Sequence, residues 1–254
     1  MHLLALPGSP RHDPKHTLDF ISQEALKEAE AFVAGEMDGI VIENYGDMPY
    51  NPHSVGPEVV SSMTYIVSRI IDKIKIPVGI QVLRNDPMAA ISIAHTVGAK
   101  FVRMCIPPEE VFTDSGAPRS TAYEIHRFRR LLGAEQVRIV ADIDITTYPN
   151  GRDIADFAEE LSYRGLADNI LISGGFTGKK PDTRDLERMK KRKSLSNVPI
   201  LVGGGLNKDN VEDYLRVADG VVIATSLKVD GISTNPVDPA RVREFMRIVN
   251  EVRA

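Results

Sequence analysis

A short apolar run that ends in glycine, proline or a polar residue recurs eight times along this chain of 254 residues. The runs are HLLALP (2–7), GIVIENY (39–45), PVGIQVL (77–83), FVRMCI (101–106), RIVADIDI (138–145), NILISG (169–174), PILVGG (199–204) and GVVIAT (220–225). Helical periodicity fills the segments between them. Strands that alternate with helices form βαβ units and a parallel sheet. Eight such units in a chain of this size predict an α/β fold, a (β/α)8 TIM-type barrel that takes up 1–254 as a single domain. Chemistry in that architecture sits at the C-terminal ends of the strands.

Composition narrows the classes. Hydrophobic residues make up 43% and charged residues 26%, an ordinary profile with enough apolar material for a large core. A net charge of −4 gives no electrostatic reason to expect nucleic acid. The basic run Lys190–Lys191–Arg192–Lys193 reads as a solvated helix end that complements the helix dipole. Cys105 is the single cysteine, which excludes a disulfide framework and fits a reducing compartment. No apolar stretch reaches the length of about 18 residues that a spanning helix needs, and the N-terminus has no signal-peptide pattern. The expectation is a soluble, cytoplasmic protein, with a homo-oligomer expected only from the size of the fold.

Start signals support the helices. Asp86–Pro87 and Asp238–Pro239 each place a capping carboxylate before a first-turn proline. Asn207 stands in a cap-like position before NVEDYLRV. Two connections are long, from Gly46 to Pro57 and from Pro107 to Pro118, and long loops in compact domains tend to bind or cover ligands.

Side chains alternate along a strand, and in a barrel the outward set must be apolar to meet the helices. In the fifth run Ile139, Ala141, Ile143 and Ile145 form that set, leaving Asp142 and Asp144 inside. In the second, Ile40 and Ile42 leave Val41, Glu43 and Tyr45 inside. In the third, Val78, Ile80 and Val82 leave Gly79, Gln81 and Leu83. In the fourth, Val102, Met104 and Ile106 leave Arg103 and Cys105. Buried charges must pair with one another or hold something. Three readings stand open: an ion network that only fixes the barrel, an active-site floor for acid–base chemistry, or a divalent ion such as Mg2+ or Mn2+ held by Glu43, Asp142 and Asp144. No lysine points inward, which argues against a Schiff-base aldolase. The histidines match no metal motif, and His2 begins the first run, far from its C-terminal end.

Barrels often bind phosphate after their last two strands. Gly203, Gly204 and Gly205 would let backbone N–H groups approach an anion, and Thr225 and Ser226 add hydroxyls at a short helix start. Gly174 and Gly175 open a second glycine-rich loop, whose lysines do not follow the spacing of a nucleotide P-loop.

The segments HLLALPGSP, DGIVIENYGDMPY, VLRNDPMAAISIA, GAKFVRM, LVGGGLNKDNVEDYL and ADGVVIATSLKVDG, with NPVDPARV, resemble the BtpA/SgcQ family along the whole chain. The resemblance implies a (β/α)8-like fold and two settings, photosystem I biogenesis and the neighbourhood of sugar metabolism. It marks Glu43, Asn44, Gly46, Asp47, Arg84, Asn85, Asp86, Thr113, Asp114, Gly116 and Asp142. On the far side it marks Gly203, Gly205, Thr225, Ser226, Lys228 and Asp230. So polar a set at strand ends is expected to be functional. Two departures stand out: IDITTYPNG follows where the family commonly has a Lys-His pair, and Gln81 replaces a frequent asparagine.

The leading expectation is an enzyme of the isomerase, epimerase, lyase or glycosidic-cleavage type, acting on a small phosphorylated sugar or nucleoside. Glu43, Asp142, Arg103, Asp86 and Asp114 would be its catalytic residues. The alternative is a non-catalytic assembly factor.

Overall fold

The computed structural model describes residues 1–106, 122–144, 153–173 and 180–253. Helices and strands alternate throughout: α1 (Leu18–Ala34), β1 (Ile40–Glu43), α2 (Pro57–Ile71), β2 (Val78–Gln81), α3 (Pro87–Val97), β3 (Phe101–Met104), α4 (Ala122–Leu132) and β4 (Arg138–Asp144). The second half continues with α5 (Ile154–Tyr163), β5 (Asn169–Ser173), α6 (Thr183–Lys190), β6 (Ile200–Gly203), α7 (Val211–Leu215), β7 (Gly220–Val222) and α8 (Pro239–Arg253). The seven strands pair in parallel and in sequence order. Glu43 stands opposite Gln81, Asp142 opposite Leu171, and Ser173 opposite Gly203, so the polar ends of the strands collect on one side.

Packing explains the alternation. Ile40, Ile42, Val78, Ile80, Val102, Met104, Ile139, Ala141 and Ile143 all join one apolar cluster with helix residues such as Met63, Ile66, Ile91 and Ile125. Burial of each such aliphatic side chain contributes about 1.5–3 kcal/mol. On the opposite face Leu83, Val140 and Leu171 are also buried, yet lie outside that cluster. Gly79 shares this inner face, where a Cβ would come 2.1 Å from the Phe101 ring. The ring takes the space that the missing side chain leaves.

The first expected strand is a correction: among the described residues the sheet has seven strands, not eight. The run 2–7 contributes one parallel bridge, His2 to Glu43. Leu3 N–H donates to Glu43 O at 2.9 Å and Glu43 N–H to Met1 O at 3.0 Å. The ladder then stops because Leu6 N–H turns to the Asp47 carboxylate, at 2.7 Å. The last run also shortens, since Thr225–Leu227 winds into a 3-10 turn. Asp86 and Asp238 cap as expected, accepting from Ala89 and Ala240 N–H. The residue that precedes α7 is Asn210 rather than Asn207.

The two ends of the chain are joined by helices and side chains. Helix α8 packs on α1 so closely that a Cβ on Gly35 would come 2.3 Å from Val242. Buried Lys228 reaches the Glu28 carboxylate at 3.3 Å and Asn235 O at 2.9 Å. Arg253 pairs with Asp38 at 2.6 Å. Above them, Ser233 meets His2 and Tyr45. Two residues of the basic run at the end of α6 also meet carboxylates, Lys190 at Asp219 and Arg192 at Asp156.

Candidate functional site

Glu43, Gln81, Arg103, Asp142 and Ser173 come from β1 to β5. Arg103 donates through Nε to Asp142 Oδ2 at 2.9 Å, and through Nη2 to the same oxygen. Ser173 Oγ donates to the other Asp142 oxygen at 2.8 Å. Asp142 is only 8% exposed, so this is a buried, fully partnered carboxylate. Burial alone would lower the basicity of Arg103, but the charges of Asp142 and Glu43 hold it above its ordinary value.

Glu43 lies beside a residue that the sequence left aside. His2 Nε2 sits 3.2 Å from Glu43 Oε1, its Nδ1 3.1 Å from Ser233 O, and its ring stacks on Tyr45 at 4.0 Å. A carbonyl and a carboxylate both accept, so each ring nitrogen of His2 faces an acceptor. Burial pushes the Glu43 carboxyl up. The His2 hydrogen bond, with the charges of His2, the amino group and Arg103, outweighs burial and holds it at about 2. Tyr50 hangs over this side and donates to Tyr45 O at 2.7 Å, its phenol pushed up by burial and by Glu43. Pairing register revealed His2: it stands opposite Glu43, and a slip of one residue would have turned it away.

Other polar residues at the strand ends serve the backbone. Asn44 donates to Asp47 at 2.9 Å and accepts from Leu83 N–H at 2.7 Å, while Asp47 accepts from Leu6 N–H. Three chain segments are thereby tied together. Burial raises the Asp47 carboxyl despite these bonds. Gly46 passes so near the first run that a Cβ would lie 2.3 Å from Ala5 N. Asn85 takes both the N–H and C=O of Cys105, at 2.9 and 3.0 Å. Asp86, expected among the catalytic residues, spends one oxygen on capping α3 and the other on Val55 N–H at 2.9 Å. In this structure it caps α3 and ties the loop before α2. Asp86 also lines a cavity of about 350 Å3, together with His53, Met88 and Glu124 among others, and no residue of the β1–β5 floor lines it.

On the far side, Gly203 ends β6, and Gly204 and Gly205 take φ values of 80° and 65°, a turn that glycine makes without strain. Thr225 starts the 3-10 turn after β7. Ser226 donates its hydroxyl proton to Leu206 O at 2.7 Å, so that proton is not offered to an anion. Thr113, Asp114, Gly116, Gly174 and Gly175 lie outside the described residues, as does the side chain of Asp144.

The divalent-ion reading fits the described residues poorly. Both Asp142 oxygens already accept from Arg103 and Ser173, and a guanidinium charge lies against the carboxylate that an ion would need. Among the described residues no three His, Cys, Asp or Glu gather as a metal group. Among the same residues, no helix is long and apolar enough to cross a membrane.

The sequential parallel sheet, wrapped by helices and carrying its charged groups at the strand ends, defines a TIM-like α/β protein. Solved structures share this fold: N-(5'-phosphoribosyl)anthranilate isomerase from Pyrococcus furiosus, with a TM-score of 0.55 and 19% identity over 89% of this chain and 94% of that one. A native KDPGal structure matches with a TM-score of 0.59 and 14% identity over 99% and 94%. At such identities the likeness is one of fold. The chain belongs to the BtpA family, whose model matches residues 1–251. Photosystem I biogenesis protein BtpA of Synechocystis is 38% identical over 253 residues, 99% of this chain and 86% of that protein. The putative sgc region protein SgcQ of Escherichia coli is 32% identical over 259 residues, 99% and 93% respectively.

Proposed function

We propose that the chain is an enzyme acting on a small phosphorylated metabolite, bound over the floor built by Glu43, Arg103 and Asp142. The observation that carries this reading is the gathering of buried Glu43 and Asp142 with half-buried Arg103 toward the C-terminal side of β1, β4 and β3. Structural ion networks need no such placement, whereas sites of TIM-type folds occupy that face. Asp142 and Ser173 orient the guanidinium of Arg103, whose remaining N–H groups then face negative charge that develops on a substrate. Glu43, kept ionised with His2 beside it, serves as a partner for developing positive charge. With its carboxyl near 2 it is no proton donor at neutral pH. The phosphate would rest against Gly203–Gly205 and Thr225, where the backbone turns at the mouth. The names of the structural neighbours support the substrate class, since phosphoribosylanthranilate is itself a phosphorylated compound.

A thermal-shift and calorimetric screen of sugar and nucleoside phosphates tests the reading. Stabilisation by a phosphorylated compound, lost in Asp142→Asn and Glu43→Gln, is expected. A second reading, an assembly role without catalysis, draws on the name of the Synechocystis relative. An assembly role would survive both substitutions.

A further inference from the structure

We propose that Gln81 reads a sugar hydroxyl, and that with Glu43 it selects ligands carrying two adjacent hydroxyl groups. The inference rests on the phosphorylated-metabolite reading of the same site and names the part of the ligand that the floor would hold. Gln81 is 8% exposed, and among the described residues its buried amide oxygen has no hydrogen-bond partner. A buried acceptor without a donor is costly, and native structures keep few of them without a use. Alternation puts this oxygen on the inner face: Val78 and Ile80 belong to the helix-facing cluster, and Gly79 lies under the Phe101 ring.

The neighbours explain why the protein leaves it unmet. Glu43 is its register partner on β1 and accepts only. On the other side, Arg103 lies one step beyond the Ile80–Val102 pair, within reach of an adjacent strand spacing of about 4.8 Å. Asp142 draws that guanidinium toward β4 through two hydrogen bonds. Two acceptors therefore stand side by side on β1 and β2, followed by a held cation. A ligand that complements them brings two donors on neighbouring atoms and an electron-rich oxygen beside them. A vicinal diol next to a carbonyl or ring oxygen has that pattern. A ligand lacking one hydroxyl leaves the amide oxygen unpaired as before.

The test titrates matched pairs into the full chain by calorimetry: ribose 5-phosphate against 2-deoxyribose 5-phosphate, and glucose 6-phosphate against 2-deoxyglucose 6-phosphate. Inorganic phosphate and the four free sugars complete the set. Wild type is expected to favour the diol member of at least one pair by roughly 10- to 100-fold. Gln81→Leu, which replaces the orphaned amide with an apolar group of similar size, is expected to erase that preference. Its affinity for inorganic phosphate should stay unchanged and its Tm should equal or exceed that of wild type, by up to about 4 °C. A lower Tm would make Gln81 a structural residue and overturn the proposal, as would a preference that persists in Gln81→Leu. Phosphate binding with no pair discriminated overturns the diol reading and spares the phosphate reading. Discrimination among free sugars with no phosphate bound does the reverse. Binding by none of the compounds overturns both.

Discussion

Two sets of polar residues lie within a few positions of each other at the strand ends, and they are built in opposite ways. Along the rim, Asn44, Asp47, Asn85 and Asp86 spend their oxygens and amides largely on backbone groups of Leu6, Leu83, Cys105, Ala89 and Val55. On the floor, Glu43, Arg103, Asp142 and Ser173 pair side chain to side chain or with His2, and Gln81 keeps an unmet oxygen. The rim fixes where loops leave the sheet. The floor gathers paired charges on the inner face of the sheet. Polarity at a strand end is therefore no sign of chemistry until its partners are known.

The difference breaks first at Asp142. Asp142→Ala leaves the Arg103 guanidinium buried without its carboxylate, and is expected to cost about 3–5 kcal/mol in urea denaturation. A loss under about 1 kcal/mol would mean that the pair is effectively solvated.

Next comes the acid limb of stability. The Glu43 carboxyl falls from an ordinary 4.5 to about 2 on folding. A depressed carboxyl stabilises fully above its unfolded value, and that contribution disappears as pH falls through the folded one. Stability on the order of 3 kcal/mol should thus be lost between pH 4.5 and 2. Denaturation of Glu43→Gln across that window should show a flatter limb than wild type.

Rim substitutions are expected to act on the fold. Asp47→Ala strands the Leu6 N–H and the Asn44 amide and is expected to cost about 1–3 kcal/mol. Asp86→Ala should cost about 1 kcal/mol through the lost cap. Neither should change calorimetric affinity for inorganic phosphate, and a tenfold loss in either variant would place that residue among the ligand contacts.

The alternation of apolar residues made the strands and their inner faces readable, because Ile139, Ala141 and Ile143 could face only the helices. It also brought Glu43, Arg103 and Asp142 to one floor. Pairing and register were hidden. The run 2–7 has the pattern of a strand, yet Asp47 captures Leu6 N–H and ends the ladder, a contact between residues 41 positions apart that no local pattern encodes. His2 was missed for the same reason. The rim was hidden differently: a capping carboxylate and a catalytic one look alike in sequence, and the Val55 and Ala89 N–H groups held by Asp86 appear only in the fold.

A crystal structure of the protein soaked with ribose 5-phosphate tests the floor most directly. The account predicts the sugar hydroxyls within hydrogen-bond distance of Gln81 and Glu43, the adjacent oxygen on Arg103, and the phosphate against Gly203–Gly205. A ligand held instead by Asn44, Asp47 or Asp86, with the floor side chains untouched, would contradict it.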